Sequence, residues 1–125
     1  MSIARWIGVV VDCADPVRLA EFWSSLLGGT IDERTHTADW LSLRDVPGVG
    51  YLSFQRVPEG KAGKNRLHVD LAVADLREAV RGAEALGASA VGSPVDEPTN
   101  TFQVMHDPER NEFCFVAWHD GRGWG

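Results

Sequence analysis

The sequence predicts an α+β protein of two successive βαβββ modules, eight strands in all and mostly antiparallel. Three observations carry that prediction. The stretch Trp6–Asp15 (WIGVVVDCAD) returns sixty positions later as Arg66–Asp75 (RLHVDLAVAD), each a β-rich run ending in Ala-Asp. Val9/Val69, Ala14/Ala74, Asp15/Asp75 and Leu26/Leu86 are identical at that spacing, which marks the repeat of a whole supersecondary unit. After each copy comes a helical pattern and then short alternating apolar runs separated by turn residues. The informative mismatch between the copies is Gly8 against His68.

The first run, Trp6–Cys13, is β-branched enough for a strand. Asp15-Pro16 then supplies an N-cap followed by proline at the first helical position. Leu19, Ala20, Trp23, Leu26 and Leu27 fall at helical spacing, and Gly28-Gly29 closes the helix. Three short strands are expected at Thr30–Arg34, Asp39–Arg44 and Gly50–Arg56, with antiparallel connections. Residues 57–65, which contain Pro58 and two glycines, read as a linker between a first module at about 3–56 and a second at about 66–118. The two modules are expected to form a single domain over residues 1–125.

In the second module Asp75 is again the N-cap, with Glu78 three residues on as its capping-box partner. Leu76, Ala79, Val80, Ala83 and Leu86 form the stripe expected to be buried. Strands follow at Ala88–Gly92, Thr101–His106 and Glu112–Trp118, with Ser93–Thr99 as a proline-containing loop and Asp107–Asn111 as a turn. Residues 119–125 read as a glycine-rich tail in which Trp124 could dock.

Strand alternation sorts the side chains onto two faces. With Val69, Leu71 and Val73 under the helix, His68, Asp70 and Ala72 turn the other way, as do Gly8, Val10 and Asp12 in the first module. Phe113, Phe115 and Ala117 as core turn Glu112, Cys114 and Val116 to that second face. Leu41, Leu43, Leu52 and Phe54 as core leave Trp40, Ser42, Arg44, Tyr51, Ser53 and Gln55 there too. A face that carries aromatics, an arginine, a histidine and acids suits a small-molecule site.

Composition narrows the function classes. At 125 residues the prior is one domain, and a formal charge of −6 argues against a nucleic-acid groove. No apolar run approaches the ~20 residues of a membrane span, so a cytoplasmic protein that contacts neither membrane nor nucleic acid is expected. Cys13 and Cys114 have no framework spacing and read as reduced thiols.

The paired modules, Ala14-Asp15-Pro16 followed by Phe22-Trp23 and Leu26-Leu27-Gly28, Lys64–Leu71 (KNRLHVDL) and Asp107–Cys114 (DPERNEFC) resemble the vicinal oxygen chelate superfamily, and within it single-domain glyoxalase-like proteins. The resemblance spans about Ile3–Val116. It implies a cup-shaped sheet with helices on the convex side, built from two modules either within one chain or across an exchanged dimer, and a divalent ion (Ni, Zn, Mn or Fe) held by residues on the first and last strands of each module. The short loops and the nine-residue linker would permit module exchange, and a homodimer is expected. His68 and Glu112 match those positions in the second module, whereas Gly8 and Tyr51 stand at them in the first. Arg110 occupies a turn position where the family commonly has glycine.

Two functional readings follow. In the first, a lyase- or isomerase-type enzyme binds a small oxygenated organic molecule and moves a proton beside a carbonyl. His68 and Glu112 form its acid/base pair, with Asp70 orienting the imidazole. Trp40, Arg44, Tyr51, Ser53, Gln55 and Cys114 line the ligand, and Arg44 suits a carboxylate or enolate oxygen. In the second, the chain is a non-catalytic sequestering protein of the bleomycin-resistance type, relying on Trp40, Tyr51 and the acids Asp12, Asp70 and Glu112.

Overall fold

The computed structural model describes residues 2–122. Its order is β1 (Gly8–Cys13), α1 (Pro16–Leu27), β2 (Thr30–Ile31), β3 (Trp40–Val46), β4 (Gly50–Arg56), β5 (Val69–Ala72), α2 (Leu76–Ala85), β6 (Ser89–Asp96), β7 (Asn100–His106) and β8 (Glu112–Trp118). This is an α+β protein of two βαβββ modules. The strands hydrogen-bond as two four-stranded mixed sheets, ordered β1-β4-β3-β2 and β5-β8-β7-β6. In each sheet the module's first and last strands pair in parallel and the other pairs are antiparallel. The chain divides into two compact units, one up to Gly60 and one from Lys61 onward, and the division falls inside the predicted linker.

In the first unit Asp15 caps α1 by accepting the Arg18 N–H at 3.1 Å, and Pro16 occupies the first turn. Leu19, Ala20, Phe22 and Trp23 are buried where α1 lies on β3 and β4, against Leu41, Leu43 and Phe54. Gly28 ends the helix at φ 92°, ψ −160°, a region open to glycine. Two strand boundaries differ from those expected. The strand after the helix stops at Ile31, because the Asp32 carboxylate turns the chain by accepting the Arg34 N–H at 3.2 Å and its guanidinium at 2.9 Å. The next strand runs on to Val46 through a bulge at Asp45, whose φ is 58°.

In the second unit Asp75 caps α2 by accepting the Glu78 N–H at 3.0 Å. The helix lies over β6, β7 and β8, which buries Ala83, Met105, Phe113 and Phe115. Beyond this cover, on the edge strand β5, Val69 is exposed rather than buried, and Leu86 is exposed as the α2 C-cap. The sequence places a loop at Ser93–Thr99, yet β6 continues through Pro94 to Asp96. β6 is an edge strand whose register shifts between Val91 and Val95, with Gly92 at φ 70°, and a proline is tolerated at such a place. The buried Gln103 amide donates to the Val91 and Gly92 carbonyls at 3.1 and 3.2 Å, satisfying the backbone that the irregularity frees. Trp124 lies outside the described residues.

Candidate functional site

The sheet face of the second unit that turns away from α2 is concave. Its register fixes who meets whom: Asp70 pairs with Cys114 and Cys114 with Val104, while Ala72 pairs with Val116 and Val116 with Phe102. His68 stands one residue ahead of β5 and lines the same concavity as Asp70, as alternation requires. The concavity is about 590 Å³. Ala72, Phe102, Val104, Val116 and Trp118 give it an apolar floor, and His68, Asp70, Cys114, Glu112, Lys64 and Glu97 give it polar edges.

Two clusters of side chains organise these edges. In the first, His68 Nδ1 lies 3.6 Å from Asp70 Oδ1, and donor atoms of His68, Asp70 and Cys114 all fall within 4.8 Å of one another. Partial burial pushes the Cys114 thiol upward, the Asp70 charge adds to that, and Lys64 opposes it. In the second, Glu112 accepts Lys61 Nζ at 3.1 Å on Oε1 and the Asn65 backbone N–H at 3.1 Å on Oε2. Oriented to satisfy both of its polar atoms, the Asn65 amide donates to Oε2 at 3.1 Å and accepts the Glu112 N–H at 3.3 Å. Burial opposes ionisation of Glu112, but the Asn65 and Lys61 donors outweigh it and hold the carboxyl below its ordinary value.

The remaining predicted site residues stand in the first unit. Trp40 pairs with Gln55 and Ser42 with Ser53 across β3 and β4, on the face away from α1. The Trp40 indole N–H donates to Ser42 Oγ at 2.8 Å, and Ser42 and Ser53 share a hydroxyl hydrogen bond of 2.7 Å. Arg44 Nη1 pairs with its neighbour Asp45 at 2.9 Å, and Tyr51 faces the guanidinium of Arg34. Trp40, Ser53 and Arg44 therefore already hold partners within their own unit. Sequence reasoning missed Lys61 and Asn65, which it placed in the linker, and the floor residues Phe102 and Val104. Alternation along β7 could have found the floor. No local signal marks the Lys61–Glu112 pair, whose members are 51 positions apart.

The family profile described as a glyoxalase-like domain matches residues 8–116. The chain belongs to that family. Solved structures agree on the fold of this glyoxalase-like chain. A glyoxalase/bleomycin resistance protein/dioxygenase family enzyme from Burkholderia phytofirmans superposes with a TM-score of 0.74 at 22% identity, covering 92% of this chain and 99% of that one. A glyoxalase/bleomycin resistance protein/dioxygenase from Nocardioides gives 0.72 at 17%, covering 100% and 90%. A fosfomycin resistance protein from Listeria monocytogenes gives 0.72 at 10%, covering 93% and 94%. No curated protein matches the sequence significantly.

The metal positions that the superfamily resemblance assigns can be tested against the side chains present. Gly8 offers no donor. A Cβ built there would fall on the Tyr51 carbonyl oxygen, with the Tyr51 carbonyl carbon at 2.8 Å, so β1 approaches β4 too closely for a side chain. Tyr51 offers only a phenol, and both carboxylate oxygens of Glu112 are engaged. The superfamily's four-position donor set does not fit this glyoxalase-like chain.

Proposed function

We propose that the chain binds a small oxygenated organic molecule on the open face of the second unit and exchanges a proton with it, beside a carbonyl, through His68. The observation that supports this reading is the His68–Asp70 pair, 3.6 Å apart, at the edge of an apolar floor. The floor takes the carbon skeleton and the polar edge fixes its orientation. Asp70 favours the tautomer with its proton on Nδ1, which leaves the other ring nitrogen to accept a proton from carbon. The electron pair of that C–H bond passes to the carbonyl oxygen. Lys64 is the cation at the edge that makes no ion pair among the described residues, and we assign it to the developing negative charge. Glu112, held ionised by Asn65 and Lys61, is a weak base, so its role in this reading is to secure residues 61–65 beside the sheet.

A panel of α-hydroxy ketones and 2-oxo acids in deuterated water tests the reaction, read as deuterium uptake at the carbon beside the carbonyl. The expected result is catalysed exchange that falls by about 10²–10⁴-fold in His68→Gln, the range for loss of a general base. Exchange at the wild-type rate in that variant would overturn the assignment of His68. Binding without any exchange, unchanged in His68→Gln, would favour the sequestering reading, which the open apolar floor also accommodates.

We further propose a cytoplasmic homodimer. The thiols of Cys13 and Cys114 suit a reducing compartment. β1 and β5 are edge strands carrying exposed Val10 and Val69, and Trp6, Ile7 and Leu67 ahead of them are 74%, 74% and 89% exposed. Apolar edges of this kind are templates for pairing with a second chain.

A further inference from the structure

We propose that His68, Asp70 and Cys114 form a three-donor site for a borderline divalent ion of the Zn²⁺ type, in place of the superfamily's donor set. The ladder builds this cluster: Asp70 and Cys114 are register partners on β5 and β8, and His68 precedes Asp70 by two residues on the same face. An imidazole nitrogen, a carboxylate oxygen and a sulfur are a donor set zinc accepts, with a fourth position left open. Tetrahedral coordination at ~2.0–2.3 Å needs donor separations of ~3.3–3.8 Å. His68 and Asp70 already stand at 3.6 Å, and the whole set lies within 4.8 Å.

Closing the remainder takes only side-chain rotation, because the His68 and Asp70 side chains are 46% and 62% exposed. None of the three side chains makes another hydrogen bond or ion pair among the described residues, in contrast to Glu112 with both of its oxygens engaged. Binding replaces the Cys114 S–H bond with a sulfur–metal bond and releases the proton to solvent. The ion takes the imidazole that the proposed proton transfer uses, so metal loading and proton exchange exclude each other. The site does not depend on that reaction, and it is detected without any substrate.

The test is titration of the full chain with Co²⁺, followed by displacement with Zn²⁺, read by near-ultraviolet sulfur-to-cobalt charge transfer and by bound metal per chain. One ion per chain with the sulfur band is expected. The band should vanish in Cys114→Ser. Affinity should fall in His68→Gln and in Asp70→Asn by at least the ~10–100-fold that loss of an outer-shell partner costs. Glu84→Gln, exposed on α2, should bind as the wild type does. Absence of stoichiometric binding, a sulfur band that survives Cys114→Ser, or binding abolished in Glu112→Gln but kept in Asp70→Asn would each overturn the proposal. Absence of stoichiometric binding with intact proton exchange would refute the metal site alone, and stoichiometric binding with no exchange in the metal-free protein would refute the reaction alone.

Discussion

Arg110 stands at φ 66° in the turn that leads into β8, a backbone region that costs an L-residue roughly 1 kcal/mol or more. The turn is held there by Asp107, whose Oδ1 accepts the N–H groups of Glu109 and Asn111 at 2.8 and 2.9 Å and whose Oδ2 accepts the Asn111 amide at 2.9 Å. Arg110→Gly should therefore raise stability by about 1 kcal/mol, read as a higher urea midpoint with an unchanged slope. An unchanged or lower midpoint would mean that the arginine side chain repays the strain. Glu112 gives a pH signature at the same scale. Its carboxyl is held below the ordinary value when folded, so the unfolded chain binds the proton more readily. The stabilisation is complete above the ordinary carboxylate range and is lost as pH falls through the lowered folded value. Glu112→Gln should lower stability near neutrality and flatten the decline as pH falls through and below the ordinary carboxylate range. Parallel curves for the two proteins would remove that contribution.

At the scale of elements, β1 and β4 are joined in parallel at Gly8↔Tyr51, and the approach leaves no room for a Cβ. Gly8→Ala must move one strand. The expected cost is about 1–3 kcal/mol, as for overpacking elsewhere, measured by chemical denaturation. A neutral result would show that the pair opens freely there. The two copies of the repeat differ at this position: Gly8 lies in β1 against Tyr51, whereas His68 stands one residue ahead of β5.

Strand faces were legible from alternation: Leu41, Leu43, Leu52 and Phe54 are buried, and the register sets Trp40 beside Gln55 and Asp70 beside Cys114 as the two-residue period requires. The continuation of β6 through Pro94 was not legible. A proline reads locally as a strand breaker, and only the sheet order shows that β6 is an edge whose irregularity Gln103 repairs.

For the molecule as a whole, the exposed apolar residues on and ahead of β1 and β5 support the proposed homodimer. Sedimentation at micromolar concentration should give a species of twice the 13.7 kDa chain mass, and Leu67→Glu together with Val69→Lys should shift it to monomer. A species of single-chain mass at every concentration would refute the dimer. By itself the sequence determined the class, the two modules, both helix N-caps and the core faces of β3, β4 and β8, because capping and periodicity are local properties of the chain. Only the tertiary structure decided which polar groups meet. It engaged Glu112 with Lys61 and Asn65, gathered His68, Asp70 and Cys114, and closed the Gly8 position. Each of those outcomes depends on strand register and on contacts between residues distant in sequence, which no local pattern encodes.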